Sequence, residues 1–334
     1  TAGAPERLVA PPYDVVTEER RRSLIAGSPH NIVRLTLAEP GEPDFYARVG
    51  TTLRLWRKTG VLAKDGAPSF YILRQRFPWK GTARTRSGFF ALLDLRDEAQ
   101  VLRHEVTFDK YRGERMRLLA ETRANLEPIF LLYEDPDMLL EKAAESARPL
   151  CDAVLDDEEL SFSAAATDGP LGTLCGRLAE EKVFVADGHH RFGASCDFFR
   201  DRPDSAPGFV MAYFTNMAGP DLFILPTHRF VDVPADPGDL AKKAGAYFSV
   251  EEFPDPAALP PLLEAAERCA FGLFAGGRAF LLTLRDFALV DRFIPGGHCD
   301  RWRRLDVVIL HHFVMKEFFG LGPEATFFYD RDPA

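Results

Sequence analysis

The stretch KVFVADGHHRF, residues 182–192, changes character at its middle. Residues 182–186 read as a buried strand, residues 187–191 as a tight loop, and residues 192–199 as the start of a new helix. A helix start at the end of a strand offers backbone N–H groups and a partial positive charge. Gly188 lets a ligand approach the backbone closely, and Arg191 carries a planar fork that grips phosphate oxygens in pairs. The run Asp187-Gly188-His189-His190-Arg191 therefore predicts a bound phosphate. In the structural alternative, Asp187 caps the helix, Arg191 pairs with a carboxylate and the histidines fill polar pockets.

Outward from this loop the chain alternates helical and strand patterns. Upstream, residues 171–180 read as a helix, and residues 164–170, small, polar and Gly/Pro-bearing, as a boundary. Nearer the N-terminus, two prolines in residues 10–16 (APPYDVV) make an extended entry into a helix capped by Thr17 and closed near Gly27. Residues 31–35 alternate polar and apolar and predict a half-buried strand. Phe45, Val49, Leu53 and Trp56 recur at helical spacing before Gly60. Residues 70–77 and 87–95 predict an antiparallel pair of strands, residues 115–125 a helix, 128–133 a buried strand and 136–147 another helix. Downstream, residues 208–216 and 222–225 read as strands, and 239–247, 259–269 and 305–319 as helices. The fold class is α+β, with mixed sheets and helices.

A chain of 334 residues can bury large cores without disulfide or metal staples. Its 41 Lys and Arg against 50 Asp and Glu leave a formal net charge of −9, which speaks against nucleic acid as a partner. The five cysteines, Cys151, Cys175, Cys196, Cys269 and Cys299, form no CxxC and give neither a disulfide framework nor a structural zinc site. There is no run of about 18 apolar residues and no secretory pattern at the start, so the expectation is a cytoplasmic protein with no membrane partner.

Two further clusters carry chemistry. His104 and Glu105 precede Thr107, Lys110, Arg112, Glu114 and Arg115. Glu105 there fits a general base, with Lys110 and Arg115 neutralising phosphate charge; a solvated loop and helix cap is the alternative. Thr227-His228-Arg229 follows a strand, and a turn cap with an ion pair explains it equally well. His311 and His312, inside an amphipathic pattern, read as packing residues. Adjacent His189 and His190 make a poor protein-held metal site, whereas Mg²⁺ held by substrate phosphates and Asp187 is chemically easier. No GxxxxGK[ST], GxGxxG or GxSxG occurs.

The ordered motifs APPYDVV (10–16), NIVRL (31–35), LW with a following Gly (Leu55, Trp56, Gly60), HEVT (104–107), NLEPIFLLY (125–133), VADGHHRF (185–192), LPTHR (225–229) and LDVVILH (305–311) span almost the whole chain. Together they resemble the family called domain of unknown function 1015. The chain departs from the usual family pattern in lacking a His-Leu-Trp run before the loop and a Pro-Lys-Ser-Thr stretch near the C-terminus. That family is grouped distantly with ParB and sulfiredoxin-like proteins, in which a loop ending in Arg binds nucleotide phosphates. The resemblance implies a ParB/sulfiredoxin-like core over residues 96–235, between an N-terminal α+β portion (1–95) and a C-terminal one (236–334). Sulfiredoxin chemistry needs a reactive cysteine in the loop, where this chain has His189 and His190. A DNA clamp needs a basic recognition helix, which the acidic balance does not supply.

Nucleotide-dependent phosphoryl transfer to a small hydroxyl compound, or nucleotide hydrolysis, is what these exclusions leave. In that reading Asp187, His189, His190 and Glu105 are catalytic, and Asp187 orients Mg²⁺. Gly188, Arg191, His104, Lys110, Arg115, Thr227, His228 and Arg229 bind the nucleotide, with ATP, ADP or another nucleotide as cosubstrate. A non-catalytic nucleotide or phospho-metabolite sensor and a phosphatase are the alternatives, and a homodimer stays open.

Overall fold

Runs of aromatic and aliphatic residues between Phe70 and Asn216 assemble an eight-stranded mixed sheet. The computed structural model describes residues 3–39, 41–104, 109–204, 208–223, 228–231, 236–266, 269–296, 299–322 and 328–330. It divides into two units, Thr1–Phe223 and Ile224–Ala334. The strands of the first unit are β1 (Phe70–Trp79), β2 (Thr82–Asp94), β3 (Val101–Leu102), β4 (Ile129–Tyr133), β5 (Arg148–Leu155), β6 (Glu158–Ala165), β7 (Val183–Asp187) and β8 (Phe209–Asn216), in the spatial order β3-β7-β4-β8-β2-β1-β6-β5. Among the described residues β3 runs parallel to β7 and β4 parallel to β8, and every other pairing is antiparallel.

The expected hairpin is β1–β2. Its turn is Lys80-Gly81, both with positive φ, and this twist matches that of the paired strands. The helices of this unit are α1 (Glu18–Gly27), α2 (Val33–Thr36), α3 (Phe45–Lys58), α4 (Asp109–Thr122), α5 (Leu139–Glu145), α6 (Pro170–Leu178) and α7 (His189–Asp201). The Thr17 hydroxyl accepts from Arg20 N at 3.2 Å, the cap its sequence called for. One face of the sheet packs Ile72, Phe89, Leu131, Val185 and Phe214 against Leu140 of α5, Leu171 and Leu174 of α6, and Phe192 and Cys196 of α7. Leu35, Val49, Leu53 and Trp56 form a satellite core with Leu118 of α4.

Residues 31–35 are a correction: the segment enters α2 rather than a strand. Asn31, placed outward by alternation, is buried instead. Its Nδ2 donates to the carbonyls of Arg7 and Val9, and its Oδ1 accepts from Val33 N at 3.0 Å, so the side chain clamps the N-terminal segment and starts the helix. Strands β5 and β6 were not foreseen. β5 is an exposed edge strand with almost no apolar alternation to mark it.

In the second unit, β10 (Phe248–Phe253), β11 (Ala270–Ala275) and β12 (Arg278–Leu284) form an antiparallel sheet in the order β10-β12-β11, and β9 (His228–Phe230) pairs with β13 (Phe328–Asp330). Helices α8 (Pro237–Ala244), α9 (Leu259–Ala265), α10 (Asp300–Arg303) and α11 (Asp306–Ile309) accompany them, and α11 continues into a π-helix over Leu310–Phe318. Phe313, Val314 and Phe318 of that helix pack on Phe248, Phe280 and Leu282. The helix foreseen over residues 305–319 is thus present with a wider winding. The strand foreseen over residues 222–225 lies partly outside the described residues, and Leu222 and Phe223 are not in a strand. Among the described residues no helix is long and apolar enough to cross a membrane.

Candidate functional site

The β4–β7 ladder decides where Asp187 points. Leu132 faces Phe184 and Leu131 faces Val185, but Phe130 then faces Asp187, leaving Ala186 as an extra residue on β7. Simple alternation would place Asp187 on the core side with Val183 and Val185. The bulge at Ala186 turns it to the opposite side, beside Phe130. Gly188 follows at φ 92°, ψ 27°, in the left-handed region. A Cβ there would also sit 3.2 Å from the Arg191 guanidinium, so both torsion and space call for glycine.

The helix foreseen from Phe192 starts three residues earlier, at His189, because the Gly188 conformation lets helical winding begin at once. His189, His190 and Arg191 therefore form its first turn. Among the described residues no side chain caps it, and Asp187 is not the cap. Asp187 pairs instead with Arg191 Nη2, while Arg191 Nη1 donates to the Pro128 carbonyl. The carboxylate pairing of the structural alternative is thus present, and its partner is the loop's own aspartate.

His189 is 3% exposed. Its Nε2 accepts from the backbone N–H of His104 at 3.5 Å, which puts the ring proton on Nδ1, and the two rings meet edge-on at 4.5 Å. Burial first, then His104, His190, Arg103 and Arg191, push its pKa down to about 3. His190 is half-buried, and burial with the guanidinium groups of Arg112 and Arg115 lowers its pKa against the opposing pull of Asp187. Both imidazoles are neutral at pH 7 and serve as hydrogen-bonding groups, while the positive charge resides on arginines.

Arg112 and Arg115 come from α4, which packs on α7. Arg112 pairs with Asp197 of α7. Arg115 lies 3.3 Å from Glu127 and holds its guanidinium carbon 4.0 Å from the Tyr13 ring centre. Arg115, Asn125, Glu127, Arg191 and Ser195 border a cavity of about 30 Å³, room for a water or two.

The structure thus gathers Asp187, Gly188, His189, His190, Arg191, His104 and Arg115. Of Lys110 only the backbone is described, in α4, and Glu105 and Thr227 lie outside the described residues. His228 and Arg229 belong to β9 of the second unit, where Arg229 Nη2 sits 3.3 Å from His311 Nε2. His311, read as a packing residue, therefore joins two of the sequence motifs, LPTHR and LDVVILH. Tyr13, Arg103, Arg112, Glu127 and the Pro128 carbonyl went unassigned. The signal for Glu127 and Pro128 was their place immediately before a buried strand. Among the described residues no group of three or more His, Cys, Asp or Glu side chains is arranged to hold a metal ion; a magnesium ion held by substrate phosphates needs only one carboxylate.

The chain matches, over residues 2–308, the family described as "Protein of unknown function (DUF1015)". It belongs to the DUF1015 family. No curated protein and no solved structure matches it. Within this DUF1015 protein, three segments quoted for the resemblance, APPYDVV, NLEPIFLLY and VADGHHRF, meet at one place through Tyr13, Arg115, Glu127, Pro128 and Arg191.

Proposed function

We propose that this DUF1015 protein binds a nucleotide and transfers its terminal phosphoryl group to a small hydroxyl compound, on a ParB/sulfiredoxin-like core. The observation that carries the reading is the re-aimed strand end: a bulge, a left-handed glycine and an uncapped helix start flanked by Arg112, Arg115 and Arg191. Backbone N–H groups of the first turn of α7 and the Arg191 guanidinium hold phosphate oxygens. Arg191 exchanges its Asp187 contact for the phosphate, which frees the carboxylate to orient Mg²⁺. Neutral His190 donates a hydrogen bond to the migrating group. Glu105, next to His104, takes the acceptor's hydroxyl proton as the new O–P bond forms; the bond to the bridging oxygen breaks and its electron pair leaves with the nucleotide product.

Thermal unfolding with Mg²⁺ and ATP, ADP, CTP, GTP or inorganic phosphate tests the binding step. Stabilisation by one nucleotide that disappears in Arg191→Ala is the expected result, and no shift with any ligand overturns the reading. Glu105→Gln is expected to keep that stabilisation and abolish turnover; full turnover in the variant removes Glu105 as base. The Asp187–Arg191 pair also favours a second reading, a non-catalytic sensor. Ligand binding that exchanges one partner of this pair changes the loop without chemistry, and stabilisation without product for any acceptor distinguishes it.

A further inference from the structure

On the face of the sheet away from α5, α6 and α7, the residue opposite Asp187 begins a row of aromatic rings. Phe130 faces Asp187 on one side and Tyr213 on the other, and Tyr213 faces Phe90. Four adjacent strands, β7, β4, β8 and β2, thus carry Asp187, Phe130, Tyr213 and Phe90 in register, each about 4.8 Å from the next. The ring centres of Phe130 and Phe90 lie 5.3 and 5.1 Å from that of Tyr213. Phe130 and Phe90 are only half-buried, and beyond them on the same face Leu92 is 67% exposed.

Three observations mark this row as more than packing. The Arg86 guanidinium carbon lies 5.5 Å from the Phe130 ring centre, so a planar cation already uses that face. From Arg86 a polar chain crosses three strands: Arg86 Nη2 donates to Gln75 Oε1 at 2.9 Å, and Gln75 Nε2 donates to Glu158 Oε2 at 3.1 Å. The Tyr213 and Thr215 hydroxyls, on residues 6% and 3% exposed, adjoin each other, and Arg86 approaches that of Tyr213, so the polar groups of this face converge beside the rings. Gly88 keeps this place open for the ring, since a Cβ there would stand 2.2 Å from Tyr213 Cζ.

The geometry points to a platform for the base of the bound nucleotide: its heteroaromatic ring stacks on Phe130, the ring beside Asp187, and Arg86 with Gln75 meets its polar edge. This rests on the reading of residues 187–191 as the phosphate site. One strand spacing separates Asp187 from Phe130, a span within reach of the ribose and phosphate chain of one nucleotide. Stacking on an aromatic side chain tolerates any base, and the donors and acceptors of Arg86, Gln75 and Glu158 supply the choice among bases.

Calorimetric titration with Mg²⁺ and ATP, GTP, CTP, UTP or inorganic tripolyphosphate separates the two claims. The wild-type protein is expected to bind its preferred nucleotide about five- to a hundredfold more tightly than tripolyphosphate. Phe130→Leu, which keeps an apolar side chain in β4, loses that margin and leaves tripolyphosphate binding unchanged. Arg86→Ala, on a half-buried surface position, changes the ranking of the four nucleotides. If Phe130→Leu does not fold, Phe130→Ile, whose branched side chain suits a strand, takes its place with the same expectation. Tripolyphosphate binding as tightly as every nucleotide, or a margin that survives the loss of the ring, overturns the platform and leaves the phosphate site standing. Binding of none of the five compounds removes both.

Discussion

Acidification discriminates a buried neutral His189 from a solvated one. Its folded pKa, about 3, lies below the ordinary imidazole value of 6.5, so between these limits the unfolded chain binds a proton that the folded chain refuses. Stability therefore falls as pH falls; the contribution is complete above pH 6.5 and lost progressively on the way to pH 3. At 1.4 kcal/mol per pH unit, about 2 kcal/mol disappears between pH 7 and pH 5 from this residue alone. His190, lowered in the same direction, adds to the slope. The assay is urea unfolding at several pH values for the wild-type protein and for His189→Gln, whose amide oxygen can accept from His104 N as the ring Nε2 does. The variant's curve is expected to be flatter by that amount over this interval, whatever its absolute stability. Parallel curves for the two proteins would refute the assignment of a buried, unprotonated His189.

Gly188→Ala combines a left-handed φ with a Cβ at 3.2 Å from the Arg191 guanidinium, and is expected to lower stability by about 1–2 kcal/mol and to displace Arg191; denaturant midpoints and the nucleotide-induced shift in unfolding temperature both read it. Trp56→Ala empties the centre of the core shared by α3 and α4 and should cost about 3–5 kcal/mol, measured by chemical denaturation.

Legibility of the fold followed how local its physics is. The hairpin turn Lys80-Gly81, the Thr17 cap and the 45–56 helical spacing each depend on a few adjacent residues, and each is visible as letters. Residues 31–35 misled because alternation assumes that a polar residue faces water, whereas Asn31 spends its amide on carbonyls of residues 7 and 9. The antiparallel sheet of the second unit escaped because its strands are short and divided by the α9 segment, which pattern reading extended as one helix to residue 269. At the site, the strand–glycine–helix order was legible. Its counter-residues were not: Arg112 acts on His190, and Glu127 and Tyr13 hold Arg115, from elements whose packing no local pattern states. The bulge at Ala186 was equally hidden, because alanine is neutral to both alternation and turn chemistry.

That bulge makes the site depend on a residue count as much as on residue identities. Removing Ala186 while keeping every letter from Asp187 to Arg191 would restore plain alternation in β7, carry the aspartate into the apolar layer against α7 and part it from the Phe130 side of the sheet. Circular dichroism and hydrogen exchange on such a deletion variant would register a carboxylate forced under a helix, with the whole DGHHR string still present in the gene. Two chains with identical loop letters and a one-residue difference in the strand before them therefore present their acid to different solvents, water in one case and hydrocarbon in the other.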